Sequence, residues 1–579
     1  MDNRPETHFM IFRRLLYFSL ITTIAGGLYV FLPVNNTTIT RPEVEQPRFG
    51  GIYKRALPGK PKTLDPAHCL DTTSSEVIGQ IFSRLLRVDK DMRIQKDLAS
   101  NVSISDDKRI YSFTIKRKVR FHTITQNGLL TANQGREVRA SDVKYSFERL
   151  LDPEIDSPNA SLLGVVVGSD EFVAGKSNQI TGIKIIDDYR FEIHLKNPFS
   201  PFLWILATHS LSIVPWEDVE RWGSAFHEHP VGSGPFIFEK TTKTDAVDNP
   251  FEGSIVLRSN LDFHRGRPYL DKLQFLFISK ENRTYSLFEQ HAFYHMDRVP
   301  PEHLRNALRK KVYSFQERTS LEISYLGMNL EIAPYNNVHV RKAFNYAINK
   351  DMIVRHILLN RGGLANGPLS PGISGYDTNR LKGYEYSINK AREHLSKAGY
   401  RFTPNGMIKD FPDITLQINQ SALTKAIAQV VQANLADIGI NIILKSIPWS
   451  EHFQLIDKGE SGFFSLGWVA DYPDADNVLY NNFHSSSIIS TYNSARYANK
   501  KVDELLDQAR RIGDESIRIK LYREAEAIVI DEAPWVFLHY PTTYIVSQPY
   551  VRGLELSAFG SSETDYYQVW LTTEADLHL

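Results

Sequence analysis

The chain has 579 residues, 42% of them hydrophobic and 23% charged, the proportions of a soluble globular protein and not of a disordered or multi-spanning one. Lys plus Arg (67) equals Asp plus Glu (67), so no global field draws in nucleic acid or anionic lipid. Cys69 is the only cysteine, which excludes an intrachain disulfide and any multi-cysteine metal or redox site, and a chain this long calls for two or three lobes.

At the N-terminus, Arg13 and Arg14 precede an uncharged run from Leu15 to Leu32, followed by Asn35 and Asn36. Its length is at the lower end of what spans a bilayer, roughly 17–25 residues, and the flanking charge places residues 1–14 inside and the rest outside. Residues 15–34 are therefore read as an uncleaved signal anchor or a cleaved signal peptide, with a buried core helix as the third reading. The bulky Leu28, Tyr29, Val30 and Phe31 after Gly26 and Gly27 make a poor cleavage site. No cysteine follows the run, so a lipid-anchored N-terminus is excluded. Residues 35–48, with Pro42, Pro47 and several charges, read as a linker.

The body starts near Phe49. Val102 and Ile104, the turn pair Asp106 and Asp107, then alternating Tyr111, Phe113 and Ile115 predict a hairpin. The same pattern returns at Ile183 and Ile185, Asp187 and Asp188, then Phe191, Ile193 and Leu195. Between them, Ala140 to Leu151 reads as a capped helix stopped by Pro153. Further on, Val340, Ala343, Phe344, Ala347 and Ile348 mark a buried helical stripe. Ile414, Leu416 and Ile418 alternate as a strand, Ile427 to Ile438 form a helix closed by Gly439, and Ile442 to Leu444 form a second strand, together a βαβ unit. Two helices follow, on Val502, Leu505, Leu506 and Ala509 and on Ile517, Leu521 and Ile528, before strand-like runs at Trp535–Leu538 and Tyr544–Val546. This order implies a discontinuous first lobe, residues 49–320 and 533–579, with an α/β lobe at 321–532 inserted into it. The crossovers fall near Glu317–Gly327 and Asp531–Tyr540.

Ordered motifs then carry a resemblance. They are Leu64, Asp65 and Pro66 with Phe82 to Leu86; Phe113 to Phe121 and His122; Ser141 to Leu150; Pro230, Gly232, Gly234, Pro235 and Phe236; and Arg267 to Asp271. Tyr325 to Asn329, Val340 to Ile348, Ala391 to Tyr400, and Gly467, Trp468, Asp471, Tyr472, Pro473 and Asp474 continue the series. From about Phe49 to Phe537 the chain resembles the peptide- and nickel-binding solute-binding proteins of ABC transporters, the oligopeptide- and dipeptide-binding type. The resemblance implies an α/β, two-lobed periplasmic-binding-protein (Venus-flytrap) fold with an extra sheet-rich subdomain, here behind one N-terminal transmembrane or signal segment. It implies a protein that binds short peptides between its lobes and delivers them to ABC permease subunits; a periplasmic monomer is expected, anchored at the inner membrane if the segment at 15–34 stays uncleaved. Thr123 to Arg136 departs from the family pattern with a longer loop.

By the same resemblance Gly467 and Val469 offer a backbone edge to an extended peptide, Trp468 stands beside it as a ligand wall or a core aromatic, and Asp471 takes the α-ammonium. The rival reading of Asp471 is a turn residue capping its own backbone. Asp71, Thr72 and Thr73 align with the segment on the other side of the ligand, while Thr73 to Glu76 also reads as a helix capping box. A nickel chelate, sugar or peptidoglycan fragment, or a ligand-sensing role, remain the alternatives. No nucleophile elbow, phosphate loop or metal-ligand spacing is present in the sequence, and His227, Glu228 and His229 are adjacent residues that splay apart. No enzyme activity, metal or cofactor is expected.

Overall fold

The computed structural model describes residues 45–573, apart from 124–127, 245–248, 279–280, 298, 300, 311, 378, 380–381 and 489–491. The anchor or signal segment at 15–34, and most of the linker before Phe49, lie outside the described residues. Among the described residues no helix is long and apolar enough to cross a membrane.

The compact body from Arg48 onward contains three larger sheets. In the first, Ile52–Leu57 runs parallel to Lys272–Phe277, which pairs antiparallel with Gly253–Ser259 and then Phe236–Lys243. The helix Thr72–Ile81 packs into this sheet's core with Val77, Ile78 and Ile81. Gly232 and Gly234 lie against the end of that helix. A Cβ on either would stand 2.2 Å from the Ile81 carbonyl oxygen or 2.6 Å from its carbon, so only glycine lets the two segments approach this closely.

The two expected hairpins form one four-stranded antiparallel sheet, in the order Ala99–Ile104, Ile110–Ile115, Arg190–His194, Ile183–Ile185. The alternating residues do what their period predicts: Tyr111, Phe113, Ile115, Phe191 and Ile193 share one core. The helix Ala140–Leu151 covers it, started by Asp142, whose carboxylate accepts the Arg139 N–H at 2.8 Å. The atypical loop to Arg136 is tied down by Asp218, which accepts from Asn133 Nδ2 at 2.6 Å and from the Ala132 N–H at 2.8 Å.

The third sheet is ordered His295–Met296, Trp535–Ser547, Glu322–Met328, Phe463–Val469, Ile414–Asn419, Ile442–Ile447. The βαβ unit stands as expected, with parallel strands Ile414–Asn419 and Ile442–Ile447 around the helix Ala422–Ala436, which Ser421 caps and Gly439 (φ 87°) closes. The tail differs from expectation. Its two apolar runs are one continuous strand, Trp535–Ser547, that changes partner midway. It pairs with Glu322–Met328 up to His539 and with Ser314–Thr319 from Thr542 onward. Pro541 falls at the changeover, where a missing N–H interrupts neither ladder.

Candidate functional site

The strand Phe463–Val469 carries three of the expected site residues, Gly467, Trp468 and Val469, and Asp471 follows it. Just past its end the Ala470 N–H donates to the Leu321 carbonyl at 2.8 Å, and just before its start the Gly462 carbonyl accepts from Asn329 at 2.9 Å. Antiparallel backbone groups alternate sides, so the even-numbered residues serve the Glu322–Met328 partner. Those of Ser465, Gly467 and Val469 point to the opposite edge. There, Ile414–Asn419 pairs only with Phe463 and Phe464 and then diverges. His452 Nε2 takes the Ser465 carbonyl at 2.8 Å. The edge at Gly467 and Val469 is therefore left unpaired by both neighbouring strands.

Side chains alternate likewise. Gly467, Val469 and Asp471 are exposed on one face, while Phe464 is buried on the other. Trp468 is half-buried on that rear face, packed against the core that contains Phe464, Val478 and Trp535.

Asp471 is open to solvent by surface area, yet protein surrounds it closely enough for desolvation to raise its carboxyl above the usual range. Asn477 Nδ2 donates to its carboxylate at 2.9 Å, and among the described residues no cation lies within ion-pair distance of it. Asp474 caps the helix Ala475–Phe483, its side chain accepting the Asp476 N–H at 2.9 Å. The loop is locked from behind. Arg518 Nη2 reaches both Asp474 oxygens at 3.0 and 3.1 Å, and Arg510 reaches Asp476 at 2.7 and 3.0 Å. Tyr472 and Tyr522 each add a hydroxyl bond of 3.1 Å to Asp476. Asp471 thus stands on a fixed base.

On the other side, Asp71 is the N-cap of Thr72–Ile81: its Oδ1 accepts the Ser74 N–H at 2.9 Å and its Oδ2 the Ser74 hydroxyl at 2.8 Å. The cap therefore lies two residues before the expected Thr73. Glu76 reaches no cap; it is buried in a pair with Arg55 at 2.9 Å, and Arg55 also meets Asp297 at 2.8 Å. Thr72 and Thr73 line a cavity of about 290 Å³ with Arg55, Met296 and Asp297.

Gly467 and Val469 line a different and larger chamber of about 600 Å³. Sequence reasoning missed the rest of its wall: Leu358 and Arg361, Leu423 on the βαβ helix, Trp449, and His539 on the tail strand. These come from segments distant in sequence and share no motif. His539 is buried, and desolvation lowers its imidazole to about 4, so it is neutral at physiological pH. His227 and His229 do not converge: His229 stacks on Trp222 at 3.6 Å while His227 turns back to the Ser224 carbonyl.

The family model of the bacterial extracellular solute-binding proteins, family 5 (middle), matches residues 93–490. The heme-binding protein A of Haemophilus influenzae is 29% identical to this chain over 86% of it and 89% of the relative. The glutathione-binding protein GsiB of Salmonella choleraesuis is 28% identical over 82% and 86%. The periplasmic binding protein DppA of Helicobacter pylori, solved with the peptide STSA, superposes with a TM-score of 0.72 at 28% identity, covering 91% of this chain and 99% of that one.

Proposed function

Because the chain belongs to the bacterial extracellular solute-binding proteins of family 5, we propose that it binds short peptides between two lobes and delivers them to the permease of an ABC importer. The observation that carries this reading is the open backbone edge at Gly467 and Val469, which ends at the solvent-accessible Asp471. An edge of this kind pairs with any extended peptide regardless of side chain, and a carboxylate beyond it suits one ammonium group. A peptide in the DppA structure and the tripeptide glutathione in the name of GsiB support the same cargo class. The heme in the name of the Haemophilus influenzae relative is the competitor to test against.

In this reading Asp71, Thr72 and Thr73 flank the ligand from the opposite lobe. Lobe boundaries lie at the strand pair Ser314–Thr319 and Glu322–Met328 and at the partner change in Trp535–Ser547, which act as the hinge. The body is extracytoplasmic and monomeric, carries no catalysis, and is held at the inner membrane by an uncleaved segment at 15–34. A phosphatase fusion at Asn36 is active if this topology holds and silent if it does not.

The decisive experiment is mass spectrometry of the ligand retained by the purified protein, followed by titration with defined tripeptides and with heme. Retention of peptides and micromolar or tighter tripeptide binding support the proposal. Tight heme binding with no peptide binding overturns it.

A further inference from the structure

The chamber beside the open edge has a character that the peptide-binding reading does not require. Its walls are apolar on several sides: Leu358 and Leu359, Leu423 and Ile427, Trp449, and Leu538. Leu423 and Trp449 are 43% and 56% exposed, large side chains left facing solvent around one concavity. Such a patch marks a surface that a ligand covers. About 600 Å³ leaves room for the largest side chains and lies within the roughly 300–1,000 Å³ of ligand pockets.

Its basic groups are neutral or already engaged. Arg361 pairs with Glu317 at 3.1 Å and lies over the rings of Phe315 and Tyr544, 4.8 and 5.5 Å from their centroids. His539 is an uncharged imidazole above pH of about 4. The remaining acid, Glu322, is the cross-strand neighbour of Val469, with its Oε1 3.4 Å from where a Cβ on Gly467 would lie. The floor is thus acidic toward Val469 and Asp471 and apolar toward Trp449.

The backbone of one wall is held in an unusual form. Ile353–Ile357 is a π-helical turn, a rare feature frequent at functional sites. Directly after it Leu359 and Asn360 both have left-handed φ values, 55° and 61°. Two successive non-glycine residues in that region are costly, and such strain persists where it positions side chains for a task. Here it turns Leu358, Leu359 and Arg361 into the chamber wall.

We propose that this chamber is a selectivity pocket for one large, uncharged aromatic side chain, so that the cargo is a short peptide carrying tryptophan, tyrosine or phenylalanine. The inference rests on the peptide-binding reading above and adds a side-chain preference to it. Its occupant follows from continuity: Gly467 and Val469 belong both to the edge that pairs with a peptide backbone and to the chamber wall. A strand laid on that edge drops alternate side chains into the chamber.

The test is calorimetric titration of the full-length protein with Ala-Ala-Ala, with the three tripeptides that place one Trp at each position, and with Ala-Lys-Ala and Ala-Asp-Ala. The best Trp tripeptide should bind about tenfold or more tightly than Ala-Ala-Ala, the effect of burying one aromatic group. The charged tripeptides should bind no better than Ala-Ala-Ala. Leu423→Asp, at an exposed position that does not threaten folding, should erase the Trp advantage over Ala-Ala-Ala. Equal affinity across the set overturns the pocket while peptide binding stands, as does an equal loss for Trp and Ala peptides in Leu423→Asp. Failure of every tripeptide to bind overturns the underlying reading, and the pocket with it.

Discussion

Asn477 holds Asp471 at two points: its Nδ2 donates to the carboxylate at 2.9 Å, and its Oδ1 accepts the Asp471 backbone N–H at 3.2 Å. The same Oδ1 accepts Trp468 Nε1 at 3.1 Å, so one buried amide sets the direction of the acid relative to the strand. Asn477→Ala removes these bonds without touching the cleft surface. With the carboxylate free to swing, affinity for free-amino tripeptides should fall about three- to tenfold, the worth of one hydrogen bond. An N-acetylated peptide, which does not use the acid, should show no such change. Titration of both peptides with both proteins reads the difference.

The contrast between Asp471 and Asp474 also marks how far the sequence is legible. Local period and turn chemistry predict the hairpins around Asp106 and Asp187 and the βαβ unit closed by Gly439, because each is written in contiguous residues. The same chemistry leaves the acids of the loop after Val469 ambiguous. The structure gives the helix cap to Asp474, which Arg518 holds from over thirty residues away, while Asp471 is exposed. Thr73 loses its expected cap role because Asp71 is better placed to reach the Ser74 N–H. The continuous strand through Pro541 was hidden because proline normally ends a strand, and only the partner change makes it harmless. The chamber wall at Leu358 to Arg361 rests on backbone angles that no side-chain pattern announces.

A second prediction concerns closure. The hairpin turn at Lys108 meets the loop between the helices Lys500–Arg511 and Glu515–Glu532: a Cβ on Gly513 would stand 2.5 Å from Lys108 Cγ. Nearby, the Arg510 guanidinium lies 5.7 Å from the Phe199 ring. Gly513→Leu is therefore a wedge between the hairpin sheet and the helix pair, far from the edge and from Asp471. Peptide affinity should fall about tenfold, since closing must now displace the lysine stem. Small-angle scattering should show a larger radius of gyration for the peptide-loaded variant than for the loaded parent. An unchanged profile and affinity would mean that this contact does not accompany closure.

The third concerns Lys350. It is 6% exposed, its Nζ donates to the Ala365 carbonyl at 2.8 Å, and burial lowers its pKa from 10.5 to about 8. The folded-state value is depressed, so the fold bears the full penalty below pH 8, where both states are protonated. The penalty fades between pH 8 and 10.5 and is gone above that. The gap corresponds to roughly 3 kcal/mol, and between pH 7.5 and 9.5 it should relax by about 2 kcal/mol. Lys350→Met should be more stable than the parent at pH 7.5, with the advantage shrinking by pH 9.5. Urea melts of both proteins at the two pH values provide the comparison, and a pH-independent difference would refute it.

The last prediction rests on Asp471 itself. If it holds the ligand ammonium in the closed cleft, Asp471→Ala leaves that charge desolvated and unpaired, which costs about 2–5 kcal/mol. Affinity for free-amino tripeptides should fall roughly thirtyfold or more. The fold should survive, because Asp471 is exposed and the loop is anchored by Asp474 and Asp476. Asp471→Asn should fall between, keeping an acceptor without the charge. Acidity supplies an independent check. Desolvation raises this carboxyl in the free protein, so binding should weaken as pH drops through the raised value, where the acid takes up a proton and loses its attraction for the ammonium. Asp471→Asn has no proton to gain and should lose that part of the pH dependence, and N-acetylated peptides should bind the parent as weakly as free-amino peptides bind Asp471→Ala. An Asp471→Ala protein that binds free-amino peptides as tightly as the parent would make the acid a spectator at the end of its strand and move the search for the ammonium's partner to Glu322, across from Val469.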